Sequence, residues 1–452
     1  MDQLTPLGSW RSRTTFVLAL SASAVGLGNL WRFSYLAGEH GGGPFVLAYL
    51  VCLFGIATPI LIAEVVIGNH GRGSPVAALR HAADRSLRSR AWMIGGVLVC
   101  LTAVLIMGYY SVVAGWALAY AKYMQSGHFS DASAVMVGEF FQRFLSDPSR
   151  LIRWHTAFLF MVLAVVCLGV RRGLGVLVWL CVPALIALLG ALVVFALDQG
   201  DLAAAEEFLF HVQPLDFSPH SWLVALGQAF YTLSVGVGVG ISYGAYAPER
   251  IPIGRSVFAV ALFDTLIALG AGLAIFPIVF ANNIEPSMGP GLIFVSLPYA
   301  FGNIVEGELF GTLFFALVVV AALGSAVALV EPVVGALMQQ FKLRRFTAVV
   351  IVGAIIWLLG IGVALSFSLW QDLGWFGYGN LFELLVALTT SFLLPLGALL
   401  LALFVGWQVR PQILRELLAR ETDLFFSIWY FVLRYIAPPA IVAVFVSAVI
   451  SA

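Results

Sequence analysis

The sequence predicts an all-α polytopic membrane protein, and two observations carry this prediction. The chain of 452 residues is 61% apolar and only 10% charged, whereas soluble proteins carry roughly 25% charged residues. Its apolar runs reach the roughly 20 residues that a helix needs to cross a bilayer, and they do not alternate in polarity as the strands of a membrane β-barrel do. Lipid is therefore the solvent of this chain, and helices are the elements that cross it.

Eleven apolar runs are long enough to be membrane spans. With the N-terminus in the cytoplasm, 17 of the 23 basic residues fall on the cytoplasmic side of this arrangement, as the positive-inside rule requires. We therefore expect a multi-pass protein of the cell's inner (plasma) membrane with a cytoplasmic N-terminus and, after an odd number of spans, an extracytoplasmic C-terminus. The runs lie near residues 14–38, 42–69, 91–124, 154–171, 174–197, 221–247, 255–281, 307–339, 346–367, 380–406 and 426–450.

Spans 1 and 6 each contain a glycine cluster, at residues 23–29 and 234–240. Each glycine costs a helix up to about 1 kcal/mol relative to alanine, and unwound backbone at membrane depth is tolerated only beside a cavity or a ligand. Close packing of helices through small residues is the alternative interpretation. Two interrupted helices at corresponding places in two groups of five spans indicate a transporter built from an inverted repeat.

This interpretation divides the chain into six segments. We expect a cytoplasmic N-terminus at 1–13, a first repeat of five spans at 14–197, an extracellular loop at 198–220, a second repeat at 221–406, a cytoplasmic linker at 407–425 and an eleventh span at 426–452.

Residues 24–33, with the sequence AVGLGNLWRF, resemble the first-helix signature of the neurotransmitter:sodium symporter family. Residues 41–45, residues 227–234 and the pair Tyr109 and Tyr110 resemble the same family. The resemblance covers essentially the whole chain. It implies the fold of the bacterial leucine transporter (the LeuT fold), a 5+5 inverted repeat with discontinuous helices 1 and 6 plus an eleventh helix, and sodium-coupled symport by alternating access.

The resemblance implies two sodium sites. The second site is expected to be weaker, because Gly324 stands where the family usually has a side-chain oxygen, so a stoichiometry of one or two ions stays open. The implied ligands are Ala24, Asn29, Thr232 and Asp264 in the first site, and Ala22, Val25, Ala321 and Ser325 in the second.

Asp264 predicts independence from chloride. A charged residue inside a membrane is costly and usually functional. Relatives either bind chloride or carry a glutamate one turn later in span 7, where this chain has Ala268. We therefore expect Asp264 to supply the fixed negative charge, with Tyr49, Gln228 and Thr232 as its neighbours, and expect no chloride requirement.

The substrate pocket implied by the resemblance favours a small zwitterion, and we expect a neutral amino acid. Monoamine transporters carry an aspartate where this chain has Gly26, so the substrate has to bring its own carboxylate. Tyr110 would bind that carboxylate and Tyr231 would form an aromatic lid. Taurine, betaine and β- or γ-amino acids stay open. The implied pocket residues are Ser23, Ala24, Leu27, Gly28, Ile106, Tyr110, Tyr231, Thr232, Ser234, Val237, Ser325 and Leu329.

Two gates follow from the resemblance. On the outer side we expect a direct or water-bridged pair of Arg32 and Glu383 above the substrate, with a purely structural ion pair as the alternative. On the inner side Trp10 and Tyr246 remain as gate residues.

The family's inner ion pair is missing, because its two positions hold Leu7 and Gln339. This departure predicts a weaker inner gate. Glu64 and Glu331 are two further acids within spans, for which we weigh a hydrogen-bonded structural role against proton coupling.

Other classes of function fit the sequence less well. The net charge of zero gives no reason to expect nucleic acid as a partner, and seven histidines without metal spacing give no sign of an enzyme, so no catalytic residue is predicted. A channel would not need opposed gates, and a sodium-dependent amino-acid receptor with little transport stays open. The expected partners are the substrate and the lipid bilayer, and the expected assembly is a monomer or a weak oligomer.

Overall fold

A computed structural model describes residues 7–212, 219–249, 251–285, 291–371, 373 and 377–450. The predictions that fall on residues 1–6, 213–218 and 451–452, and the use of Arg250 in the orientation argument, lie outside these residues.

Eleven spans can be followed through the described residues. Nine helices are long and apolar enough to cross a membrane singly, and a broken pair, bent by 47°, makes a tenth. A second broken pair occupies the place of predicted span 6. The spans are Arg13–Ala24 with Gly28–Glu39, Gly43–Gly71, Arg90–Gln125, Pro148–Cys167, Val170–Gln199, Pro219–Thr232 with Val239–Ala245, Ile253–Ala281, Gly307–Phe341, Arg345–Ser366, Leu381–Gln408 and Asp423–Ala443.

Five shorter helices connect these spans. They are Pro75–Arg85, Ala134–Leu145, Leu202–Phe210, Leu292–Gly302 and Pro411–Leu417.

The backbone leaves the helical conformation in both glycine clusters. In span 1 the first half-helix ends at Ala24, and Val25 is extended, with φ −75° and ψ 114°. In span 6 three residues have positive φ, namely Ser234 at 52°, Gly236 at 84° and Gly238 at 75°. The predicted unwinding of both spans is confirmed, and in span 6 it has a local cause, because glycine adopts a positive φ without the steric cost that other residues meet.

The second half of span 6, Val239–Ala245, packs on span 2 with the two backbones in close contact. A Cβ atom on Gly68 would overlap the carbonyl oxygen of Ile241, and one on Gly244 would overlap that of Val65. Small residues of this kind let helices approach closely in lipid. Gly68 and Gly244, which lie outside the two glycine clusters, therefore serve the close packing of spans 2 and 6.

Glu64 of span 2 holds the break in span 6. Its buried carboxylate accepts hydrogen bonds from the backbone N–H groups of Gly236 at 2.8 Å and Gly240 at 3.1 Å. Such groups cannot find water inside a bilayer and must be satisfied within the protein. The geometry favours the hydrogen-bonded structural role for this acid.

Candidate functional site

A cavity with an empty volume of about 360 Å³ lies between the breaks of spans 1 and 6. Ten of the twelve residues implied for the pocket line it. Of the other two, Leu27 donates its N–H to the Tyr110 hydroxyl at 3.3 Å and Thr232 bonds to Asp264. Gly26, which the resemblance had placed beside the substrate, also lines the cavity, as does Leu394, which was missed. The ten are Ser23, Ala24, Gly28, Ile106, Tyr110, Tyr231, Ser234, Val237, Ser325 and Leu329.

The cavity combines an apolar wall with hydroxyl groups. Ile106, Val237, Leu329 and Leu394 supply the aliphatic part, while serine and tyrosine hydroxyls supply the polar part. Small-molecule sites are typically concave and mostly apolar, with a few polar groups that fix the orientation of the ligand. A small molecule with one polar end and one apolar end suits this lining.

Gly26 lies close to two hydroxyl groups that line the cavity. A Cβ atom at this position would overlap the Ser325 hydroxyl and lie 2.8 Å from the Tyr110 hydroxyl. Position 26 thus carries no carboxylate that would pair with a substrate amine, and a side chain there would require Ser325 and Tyr110 to move.

Asp264 of span 7 is the centre of a buried polar cluster. Its carboxylate accepts hydrogen bonds from Asn29 Nδ2 at 2.7 Å, from the Thr232 hydroxyl at 3.0 Å and from the Tyr49 hydroxyl at 3.1 Å. Asn29 Oδ1 in turn accepts from the N–H of Gly26 at 3.0 Å. The cluster joins spans 1, 2, 6 and 7, and it gathers carboxylate, amide and hydroxyl oxygens, which suit hard cations.

The residues implied for the second ion site also approach one another, with one exception. The Ser325 hydroxyl donates to the carbonyl of Val25 at 3.0 Å. A Cβ atom on Gly324 would lie only 2.6 Å from the carbonyl oxygen of Ala22, so the side-chain oxygen that the family usually has at this position does not fit the present packing. Ala321 is buried in the same helix, and no contact described here links it to the other three.

Arg32 is bound by Gln228 rather than by an acid. Its Nη1 donates to Gln228 Oε1 at 2.6 Å, and Gln228 Nε2 donates to the carbonyl of Gly28 at 2.8 Å. The guanidinium lies 5.2 Å from the centre of the Tyr231 ring. The amide of Gln228 therefore holds Arg32 and Gly28, and its place beside Asp264 stays a prediction.

Glu383 turns away from Arg32 toward its own helix end. Its carboxylate accepts from the N–H of Gly379 and from Asn380 Nδ2, both at 3.1 Å. Within the part of the chain that the structure describes, no ion pair of 4 Å or less joins Arg32 to Glu383. The direct form of the predicted pair is thus not made in this conformation, and the water-bridged form stays a prediction.

On the inner side Trp10 closes against the end of span 6. Its backbone N–H donates to the carbonyl of Tyr246 at 2.8 Å, and its indole N–H donates to the carbonyl of Tyr243 at 3.1 Å. The two positions of the missing ion pair have other roles. Leu7 is buried, and Gln339 accepts a hydrogen bond from the N–H of Ser74 at 2.7 Å. The weaker inner gate stays a prediction.

Sequence reasoning missed a buried ion pair beside this gate. Glu331 of span 8 binds Arg345 at the start of span 9 and also accepts from the Tyr246 hydroxyl at 2.9 Å. Arg345 Nε donates to the carbonyl of Val166 at 2.7 Å. The pair therefore ties spans 4, 8 and 9 to the end of span 6, and it gives Glu331 a structural role.

A model of the sodium:neurotransmitter symporter family matches residues 7–130 and 141–452. The chain belongs to this family. It is 33% identical to the sodium-dependent transporter YhdH of Bacillus subtilis over 99% of both chains. It is 24% identical to the human sodium- and chloride-dependent GABA transporter 2 over 78% of this chain and 66% of that protein.

The fold of this family member is shared with MhsT, whose crystal structure was solved in complex with L-phenylalanine. The TM-score is 0.90 at 37% identity, and the match covers 97% of this chain and 99% of MhsT. The predicted LeuT fold with its two discontinuous helices is thereby confirmed. The chain is a multi-pass membrane transporter of a sodium-dependent family, which is consistent with the expectation that it is not an enzyme.

Proposed function

We propose that this transporter couples sodium entry to the uptake of a neutral amino acid with an aliphatic or aromatic side chain, by alternating access. The observation that carries the proposal is the contact between two features. A cavity with an apolar wall and several hydroxyl groups borders the breaks of spans 1 and 6. Gly26 lines this cavity and bonds to Asn29 of the Asp264 cluster, to which Thr232 also belongs.

The Asp264 cluster is the proposed first sodium site. The ligands are the Asp264 carboxylate, the Thr232 hydroxyl, the Asn29 amide oxygen and the carbonyl of Ala24. Asn29 and Thr232 already bond to the aspartate, and Asn29 Oδ1 also accepts from the N–H of Gly26, so a cation that enters the cluster takes the place of hydrogen bonds made there now. The substrate carboxylate completes the shell, and direct contact makes each ligand raise the affinity of the other by the same factor.

The cavity lining supports the choice of an amino acid. The half-helix that begins at Gly28 turns its N-terminus toward the cavity, and such ends favour a carboxylate. Tyr110 and Ser325 offer hydroxyls to the polar end of the substrate, and the aliphatic wall receives its side chain. The phenylalanine bound in the MhsT structure supports the same class.

Asp264 also supports independence from chloride. One unit of fixed negative charge against the sodium ion removes the need for a mobile anion, whereas the human GABA transporter relative is named as chloride-dependent. We propose that the second sodium site is the weaker one, with Ala22, Val25, Ala321 and Ser325 as its ligands. Gly324 supplies no side-chain oxygen to this site, and a side chain at that position would meet Ala22.

The orientation is part of the proposal. The basic residues at the ends of the spans support a cytoplasmic N-terminus in the plasma membrane. One sodium entering at 100 mV then provides about 2.3 kcal/mol, before any sodium concentration gradient.

Uptake into proteoliposomes tests the proposal. We expect a sodium gradient to drive saturable accumulation of leucine or phenylalanine, with unchanged rates when gluconate replaces chloride. Potassium in place of sodium is the control and should abolish uptake. Sodium-dependent binding without accumulation would contradict symport and favour a receptor, and loss of uptake in gluconate would contradict the assigned role of Asp264.

A further inference from the structure

A second cleft, with about 590 Å³ of empty space, lies between the N-terminal segment and span 5. It is separate from the substrate cavity and shares no lining residue with it. Its lining comprises Ser9, Trp10, Arg11, Thr15, Val170, Arg171, Gly175, Val176, Trp179 and Leu180.

The polar end of this cleft is basic. Arg11 and Arg171 both line it, and the lining contains no aspartate or glutamate. Neither arginine lies within 4 Å of an acidic side chain of the described residues. Arg171 donates to Ser9 through Nε and Nη2, which leaves Nη1 free of any hydrogen bond described here. The cleft thus offers guanidinium groups without a protein counter-charge.

The other end of the cleft is apolar and faces the membrane. Val176, Trp179 and Leu180 belong to span 5 and are 47%, 52% and 66% exposed. The indole N–H of Trp179 donates to the Thr15 hydroxyl at 3.3 Å, so this ring is fixed across the gap between spans 1 and 5. Tryptophan is typical of the membrane interface, where its ring lies at the level of the head groups.

An occupant that fits both ends has to be an anionic amphiphile. A soluble anion would leave the apolar wall uncovered, and an uncharged lipid would leave the arginines without a partner. We propose that the cleft binds one anionic phospholipid, whose phosphate bridges Arg11 and Arg171 and whose acyl chain lies along Val176, Trp179 and Leu180. Basic pockets between helices on the cytoplasmic side bind such head groups, and this face is the one that we propose as cytoplasmic.

The bound lipid has a consequence for transport. Arg11 lies next to the inner gate residue Trp10, and Arg171 already holds Ser9. A phosphate between the two arginines adds a further link between the N-terminal segment and span 5, and it therefore opposes the opening of the inner gate.

A lipid titration of the purified, delipidated transporter tests this site, with native mass spectrometry as the readout of bound lipid. The probes are dioleoyl phosphatidylglycerol, dioleoyl phosphatidylcholine and soluble glycerophosphate. We expect one phosphatidylglycerol to bind more tightly than phosphatidylcholine, and glycerophosphate alone not to bind. The R11Q/R171Q variant removes both arginines, and each removal should weaken phosphatidylglycerol binding about fivefold, so that the two factors multiply. The R11K/R171K variant keeps both charges and should retain most of the affinity for phosphatidylglycerol.

The matched control is R344Q/R410Q, which removes two exposed arginines of the same face outside the cleft. Equal losses in the control and the cleft variant would overturn the proposal, and so would equal affinities for the two phospholipids. A second measurement uses the native sequence. Phosphatidylglycerol with brominated acyl chains should quench part of the tryptophan emission of the native protein, and this part should be missing from the Trp179→Phe variant. Identical quenching in the native protein and the variant would also overturn the proposal.

Discussion

Two buried carboxylates of this protein differ in what surrounds them. Asp264 accepts hydrogen bonds from side chains of three other spans, and each of these side chains carries an oxygen of its own. Glu64 accepts from two backbone N–H groups of the span 6 break, which are fixed by the chain. Both are fully buried, so burial alone does not separate them. The kind of partner does, because a hydroxyl or amide partner also has an oxygen that can bind a cation, whereas a backbone N–H offers only a donor.

The largest expected effect is that of Asp264→Asn. Removing the charge next to a bound sodium ion should lower the sodium affinity by about a hundredfold, or about 3 kcal/mol, from the Coulomb energy of close charges in a protein. Transport should fall in parallel or become responsive to chloride. Sodium-dependent binding of the amino acid measures this, and an unchanged, chloride-blind sodium affinity would remove Asp264 from the ion site.

Glu64→Gln should affect stability more than sodium binding. Gly236 and Gly240 bond to different oxygens of the carboxylate, so in glutamine one of these buried N–H groups faces the NH2 group and loses its partner, at a cost of about 1–3 kcal/mol. Thermal unfolding in detergent without ligand measures the loss. A large drop in sodium affinity with unchanged stability would reverse the contrast between the two acids.

Tyr49→Phe should have the smallest effect of the three. It removes one hydrogen bond to Asp264, of 3.1 Å, and leaves the ring in place, which corresponds to about 0.5–1.5 kcal/mol. We expect Tyr49→Phe to reduce the sodium affinity less than Asp264→Asn does and to leave the chloride response unchanged. A Tyr49→Phe phenotype as severe as that of Asp264→Asn would mean that the hydroxyl itself is essential at the ion site.

The sequence predicted the spans and both breaks, because these follow from local signals. Apolar length marks the spans, and glycine clusters mark the breaks at residues 23–29 and 234–240. The cavity residues were implied by the resemblance to the family, and ten of those twelve line the cavity. Leu394 was missed, because nothing in its local sequence distinguishes it from the other leucines of span 10.

The interactions that the sequence did not predict depend on tertiary geometry. Glu331 and Arg345 lie in different helices and meet only after spans 8 and 9 have packed. Gln228 holds Arg32, although its position alone was equally compatible with Asp264. The reason for Gly324 is likewise visible only in three dimensions, since it depends on the carbonyl of Ala22.

The coupling between sodium and substrate tests the central claim most directly. Amino-acid affinity is measured at a series of sodium concentrations, and sodium affinity is measured with and without saturating amino acid, in chloride-free buffer. We predict that each ligand tightens the binding of the other by the same factor, and that the factor is lost in Asp264→Asn. Sodium and amino-acid affinities that do not depend on each other would contradict an ion site in contact with the substrate.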